Sequence, residues 1–347
     1  MKTPPAPDSV RKVAIVGTGV IGSGWAAVFL AKQRFEVCAF VRSEASEKKF
    51  HRFLQKAWKN ICARGLASDA EGWRRVKCVR NLAECVSSAD YVQESVVESL
   101  ILKQDILQQI DEHAPPGVII GTSSSFIPAT LCALRAKVQP HRIATVHPTL
   151  PQYDAFVEVY GVTSAVTNYL VDFFGPQHID MDVVVVQREN HGHVLNALTN
   201  ACCTTSTMLV NSGVCSMQDV DRSLVHLGRM IVSSGGITGS MVGFVGGGSV
   251  DATTELAADI MIGAPMGVGA SLIARMFGSG TRAAAFCMWL LQVLTSFWTS
   301  SVLVKSLVVK FVNRWNRKLY TRWREVEGGW EARNIQAVVA LEAMPPV

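Results

Sequence analysis

Near the start of the chain the apolar run Val13 to Val16 breaks into Gly17-Thr18-Gly19-Val20-Ile21-Gly22, three glycines in G-x-G-x-x-G spacing. No other stretch narrows the choice of fold as much. The run before the first glycine predicts a strand, and the small residues after the third predict a helix lying close against it. Gly17 permits the sharp turn, Gly19 lets a ligand approach the backbone, and Gly22 removes a side chain that would hold helix and strand apart. The first amides of that helix have no partners within it, and they attract negative charge. The expected ligand is the pyrophosphate of a dinucleotide, held by Gly17, Gly19, Val20, Ile21 and Gly22.

The chain around this motif keeps the same rhythm. Strands are predicted at 12–16, 35–41, 76–79, 90–95, 117–122, 142–146 and 182–187, with helices between them at 20–32, 44–64, 100–113 and 164–174. Alternating elements of this kind build a mostly parallel sheet covered by helices, so the fold class is α/β with an N-terminal Rossmann-type domain over 1–188. Beyond Glu189 the periodicity becomes helical. One long helix is expected to close at Gly213 and a second to start after Ser216 as its N-cap. An all-helical C-terminal domain over 189–347 is the expectation, with a glycine-rich stretch at 235–250 that fits either a loop close to a ligand or a flexible connector.

Composition excludes several classes. Of 347 residues 49% are apolar and 18% charged, which is incompatible with a disordered chain. A formal charge of +5, spread along the chain, is too weak for a nucleic-acid protein and suits an anionic small ligand. Nine cysteines without a CxxC pair predict reduced thiols and a cytoplasmic location, and the first twelve residues carry no secretory h-region. The uncharged run 283–304 and the basic amphipathic pattern of 314–324 read as core or interface helices. Contact of 283–324 with a membrane surface is the weaker alternative.

The end of the second strand bears on the cofactor. An acidic residue there holds the ribose 2′-hydroxyl of NAD. This chain reads Phe40-Val41-Arg42-Ser43, so no carboxylate repels a 2′-phosphate and Arg42 is available to bind one. Both NAD and NADP remain open.

GTGVIGSGWA, SADYVQESVVESLILKQDIL (88–107), GTSSSFIP (121–128), IATVHPTLP (143–151), FVEV (156–159), GHVLNAL (192–198) and SGVCSMQDVDRSL (212–224) together resemble the 3-hydroxyacyl-CoA dehydrogenase family. Trp25 and the His-Pro sequence at His147 bring the chain nearest to the branch holding L-carnitine dehydrogenase and L-gulonate 3-dehydrogenase, also known as lambda-crystallin. The resemblance covers roughly residues 12–245. It implies an NAD(P)-dependent oxidoreductase acting on the 3-hydroxy group of a small polar hydroxy acid. A 3-hydroxyacyl-CoA substrate or a non-catalytic, crystallin-like cofactor binder are the alternatives. It also implies a homodimer formed through the helical domain.

Oxidising a secondary alcohol needs a base that works near neutral pH, and histidine meets that need. His147, just after a predicted strand, matches the family's base, and Glu158 matches the carboxylate that orients it. By the same resemblance Ser124 binds the substrate oxygen, with Ser123 and Ser125 as neighbours one residue away. Asn196 polarises the reacting carbonyl, and Glu94, Glu98 and Lys103 lie near the nicotinamide. The sequence departs from the family in four places: Leu150 replaces an asparagine, Asn196 is followed by Ala197 rather than arginine, the serine-to-histidine interval is two residues longer, and His147 to Glu158 is one residue shorter. No metal is expected, because His191 and His193 diverge on one segment with no third ligand nearby.

Overall fold

The computed structural model describes residues 4–233. The chain divides into two compact units between Ala201 and Cys202, which places the break later than the expected boundary at 188. In the first unit, β1 (Lys12–Val16) leads through the glycine bend into α1 (Val20–Ala31), followed by β2 (Glu36–Phe40) and α2 (Glu44–Ala63). Then come β3 (Lys77–Val79), α3 (Leu82–Val86), β4 (Tyr91–Glu94), α4 (Leu100–His113), β5 (Ile119–Thr122) and α5 (Ala129–Cys132). The unit continues through β6 (Ile143–Pro148), β7 (Phe156–Tyr160), α6 (Ser164–Phe174) and β8 (Asp182–Val185). Next is α7 (Leu195–Asn211), whose later residues fall in the second unit, where α8 (Met217–Ser233) is the other described helix.

All eight strands join one sheet in the order β3-β2-β1-β4-β5-β6-β7-β8, parallel except for β6 with β7. The α/β, mostly parallel architecture is the one expected, with one strand more. Phe156–Tyr160 carries a buried glutamate at its centre, which interrupts its apolar run after two residues.

Alternation explains how the sheet is buried. In β1, Val13 and Ile15 face a core shared with α1, α2 and α6, while Ala14 and Val16 face a second core under α3, α4 and α5. A central strand covered on both faces needs apolar residues at every position, and β1 has them after Lys12. The first core is aromatic: Tyr91 packs on Phe173 at 4.9 Å between ring centroids, and Trp25 on Phe174 at 5.5 Å. Helix starts follow local chemistry. Ser43 and Ser46 form a reciprocal capping box on α2, and Asn81 and Thr163 cap α3 and α6.

Strand order reverses at β1, which lies between β2 and β4. In such sheets the crevice at the carboxyl ends of the strands, where the connections diverge, receives the ligand. The opposite end of the sheet is closed by Arg142, fully buried just before β6. Its guanidinium donates to the Asp111 carboxylate at 3.1 Å and to the carbonyls of Asp111 and Pro115 at 2.7 and 2.6 Å. Asp111 in turn accepts from the amides of Val138 and Gln139.

The uncharged 283–304 run, the basic 314–324 pattern and the glycine-rich 235–250 stretch lie outside the described residues. Gly213, in the left-handed region at φ 73°, closes α7, and Ser216 accepts from the Asp219 amide at the start of α8. Among the described residues no helix is long and apolar enough to cross a membrane.

Candidate active site

The glycine bend is built for close approach. Gly17 has φ 103°, and a Cβ there would lie 2.3 Å from the Ser95 carbonyl carbon. A Cβ on Gly22 would lie 1.8 Å from the Gly17 carbonyl oxygen, so helix and turn fit only without one. Gly19, exposed at the N-cap of α1, would meet nothing within 4 Å, and no side chain caps that helix. The bend therefore offers open space in front of bare amides, which fits a dinucleotide pyrophosphate. At the end of β2, Val41 is buried, whereas Arg42 is exposed and makes no hydrogen bond or ion pair among the described residues.

Beside the bend, the ends of β4 and β5 carry a buried polar network. Ser123 Oγ accepts from Trp25 Nε1 at 3.0 Å and from Gln93 Nε2 at 2.9 Å, which leaves its own proton for Ser95 Oγ at 2.9 Å. Tyr91 fixes the Gln93 amide by donating to its Oε1 at 2.5 Å. Trp25 thus does more than pack: its ring nitrogen ties α1 to the loop after β5.

One residue on, Ser124 is fully buried and belongs to a second, charged network. Lys103 Nζ lies 3.0 and 3.2 Å from the Glu94 oxygens, 3.5 Å from Glu98 Oε2 and 3.3 Å from the Val96 carbonyl. Glu98 Oε1 accepts from the Ser124 hydroxyl at 2.6 Å and from the amides of Ser125 and Phe126. Burial works to raise the Glu98 pKa, but the Ser124 hydroxyl, the Lys103 charge and the Phe126 amide outweigh it and hold the carboxyl low. Lys103 is buried and its donors are already occupied within the protein, so it meets a bound ligand only through Glu94 and Glu98.

Register creates the third group. His147 and Glu158 are directly opposed across the antiparallel β6–β7 pair, and His147 Nδ1 lies 2.7 Å from Glu158 Oε2. Glu158 Oε1 accepts from the amides of Val194 and Leu195 at 2.9 and 2.8 Å, just where α7 begins. Burial pushes the Glu158 pKa up, yet the bonds from His147, Leu195 and Val194 bring it below the usual carboxylate value. With Nδ1 engaged, His147 turns Nε2 toward Asn196, whose Nδ2 is 3.5 Å away and also donates to the Ser125 carbonyl at 3.0 Å.

Four of the sequence candidates (Ser124, His147, Glu158 and Asn196) therefore gather at one end of the sheet. His193 is a member that the sequence reading had no use for. Its Nε2 donates to the Ser124 carbonyl at 2.8 Å, and its ring lies tilted against that of His147, 5.1 Å between centroids. Burial lowers its pKa, and the neighbouring His147 acts in the same direction. Its positive φ of 50°, beside Gly192 at 79°, is the only local oddity, and nothing in the sequence announces it. His191 sits apart, exposed, near the Phe126 carbonyl at 3.3 Å. Leu150 lies 39% exposed in the loop after β6.

Comparison with known proteins decides the lineage. Residues 12–189 match the family model of the 3-hydroxyacyl-CoA dehydrogenase NAD binding domain. The chain belongs to the 3-hydroxyacyl-CoA dehydrogenase family. It is an NAD(P)-dependent dehydrogenase acting on CH–OH groups. L-carnitine dehydrogenase of Streptomyces coelicolor is 34% identical over 225 residues, which is 64% of this chain and 69% of that one. The Bacillus cereus L-carnitine dehydrogenase is 31% identical, over 63% of this chain and 67% of its own. Among solved structures, an NAD+-dependent dismutase, 5-formyl-3-hydroxy-2-methylpyridine 4-carboxylic acid 5-dehydrogenase, superposes with a TM-score of 0.58 at 27% identity, covering 64% of this chain and 72% of that one. A Ralstonia eutropha (S)-3-hydroxybutyryl-CoA dehydrogenase shares the fold, with a TM-score of 0.54 at 22% identity over 61% of this chain and 75% of its own.

Proposed function

We propose that this dehydrogenase oxidises the 3-hydroxy group of a small, polar, carnitine-like hydroxy acid, with His147 as the general base. One observation carries the reading: the cross-strand pair of His147 and Glu158, whose free Nε2 faces Asn196 at the ligand end of the sheet. A nicotinamide coenzyme held at the glycine bend would supply the hydride acceptor. The protein supplies everything else. His147 Nε2 takes the alcohol proton, and the resulting imidazolium is stabilised by Glu158, itself held ionised by two α7 amides. Asn196 Nδ2 donates toward the oxygen as it becomes a carbonyl. Ser124 serves the same oxygen only after its hydroxyl exchanges its bond to Glu98.

The small-substrate choice rests on the carnitine dehydrogenase relatives and on Trp25 and the His-Pro sequence. A panel of L-carnitine, L-gulonate, 3-hydroxybutyrate and 3-hydroxybutyryl-CoA tests it. Coenzyme reduction with a free hydroxy acid, abolished by His147→Gln, is the expected result. Reduction confined to the CoA thioester would overturn the substrate class, and coenzyme binding with no turnover on any of them would leave a crystallin-like binder.

The coenzyme is proposed to be NADP. Arg42 and Arg80 stand just beyond the paired ends of β2 and β3, where the Val41 amide donates to the Val79 carbonyl. The acidic side chains of the first α2 turn are already matched, Glu44 with Lys48 and Glu47 with Arg80. Arg42 remains free for a 2′-phosphate. Titration should give tighter binding of NADPH than NADH, and Arg42→Asp should reverse the order.

The helical part is proposed to pair two copies. α7 buries none of its residues, and α8 leaves Leu224 and Leu227, an i, i+3 pair on one face, each 38% exposed. Sedimentation of the intact protein should give a dimer. A reducing, cytoplasmic compartment suits its free cysteines.

A further inference from the structure

Away from the dehydrogenase site, three ligand-type side chains converge at the outer edge of the sheet. Glu47 and His51 are four residues apart on α2, so they share a face of that helix. Cys78 belongs to β3, the three-residue strand that ends the sheet, and it turns to the same side. The donor atoms of all three lie within 4.8 Å of one another, and His51 Nε2 is 3.6 Å from Cys78 Sγ. None of the three is fully buried, so an ion can reach them.

We propose that Glu47, His51 and Cys78 form a zinc site that clips the edge strand β3 to α2. None of the three touches the reacting groups around His147, and of the three only Glu47 borders the proposed 2′-phosphate position, through Arg80. The nitrogen–sulfur separation suits the ion: zinc bonds of about 2.3 Å to sulfur and 2.0–2.1 Å to imidazole, at the tetrahedral angle, hold the two donors roughly 3.6 Å apart. Glu47 completes three protein ligands with a small rotation, leaving a fourth position to water. Supporting contacts are in place. Arg80 lies 3.4 Å from Glu47 Oε2, which leaves Oε1 for the ion. Trp73 meets the His51 ring edge-on at 5.8 Å and fixes its plane. Thiolate and imidazole together favour zinc over calcium or magnesium, which take oxygen ligands. On binding, the Cys78 S–H bond breaks, a sulfur–zinc bond forms and one proton passes to solvent, with no change of oxidation state.

A plain S–H···N hydrogen bond between Cys78 and His51 has the same geometry, so the test must separate the two. The full chain is kept reduced, and Cys202→Ser with Cys203→Ser removes the exposed cysteine pair as competing ligands. Zinc is then titrated against a chromophoric chelator, and cobalt is used as a spectroscopic substitute. The expected result is one ion per chain, a cobalt–thiolate charge-transfer band and a higher unfolding temperature with zinc. His51 is partly exposed, and His51→Gln should weaken binding by more than the roughly 10–100-fold lost when an outer partner is removed. Cys78→Ser should abolish the charge-transfer band, and Glu47→Gln should weaken zinc by about tenfold, within that same range. Zinc uptake left unchanged by His51→Gln and Cys78→Ser, or no uptake at all in the Cys202/Cys203 background, would overturn the site.

Discussion

The two ends of β6 hold two buried charge systems that do opposite things. Before the strand, Arg142 meets Asp111, and every donor and acceptor is answered by the chain itself, mostly by backbone. At its other end His147 meets Glu158. Here the carboxylate is answered by two amides, but the imidazole turns Nε2 to the ligand end of the sheet, where among the described residues only Asn196 meets it, at 3.5 Å. Both pairs are buried, so burial alone does not mark a reaction site. The distinction is whether an atom capable of chemistry remains uncommitted. In a parallel sheet the uncommitted atom belongs at the carboxyl end of a strand, where the ligand lies.

Substitutions at the two ends should separate rate from stability. His147→Gln should lower turnover by about 10²–10⁴-fold, the usual share of a general base, with coenzyme affinity and unfolding midpoint nearly unchanged. Arg142→Ala should do the reverse. Leaving Asp111 buried without its partner should cost about 3–5 kcal/mol in denaturant unfolding, while the fraction still folded keeps its specific activity. Equal damage to rate and stability from both would erase the distinction.

Acid should sharpen it on a smaller scale. Glu158 has its pKa lowered in the folded protein. A carboxyl shifted that way adds stability that is complete above its unfolded pKa of about 4.3 and is lost as pH falls through the folded value. Wild type should therefore lose stability more steeply below pH 4 or so than Glu158→Gln, followed by fluorescence against pH. The variant should also turn over more slowly at neutral pH, since the imidazole loses its orienting charge. Smallest of all should be Arg42→Asp, which leaves both ends of β6 untouched and only exchanges NADPH preference for NADH.

Much of this was legible before any coordinates. The four predicted helices of the first half match α1, α2, α4 and α6 to within a residue at each end, because their boundaries carry local signals: the glycine bend before Val20, the capping serine at 43, the threonine at 163. β7 was the strand not predicted, and the reason is physical. Its central residue is Glu158, buried for chemistry instead of packing, so the apolar run that reveals a buried strand is interrupted where function intervenes. The one-residue shortening between His147 and Glu158, unsettling in the sequence, loses force in the structure. Cross-strand register sets their contact. The Ser123 hub and the support from His193 were not legible, because both depend on contacts across 30 to 98 residues of sequence that no local pattern encodes.

The central claim is that the imidazole at the end of β6 and the bare amides of the glycine bend serve one reaction. Single-turnover coenzyme reduction by L-carnitine, run beside fluorescence titration of the same samples, tests it most directly. The account predicts that wild-type protein binds NADPH and reduces NADP+, and that His147→Gln binds NADPH with the same Kd yet loses reduction by about 10²–10⁴-fold. A variant that reduces the coenzyme as fast as wild type, or a wild-type protein that binds neither coenzyme, would contradict it.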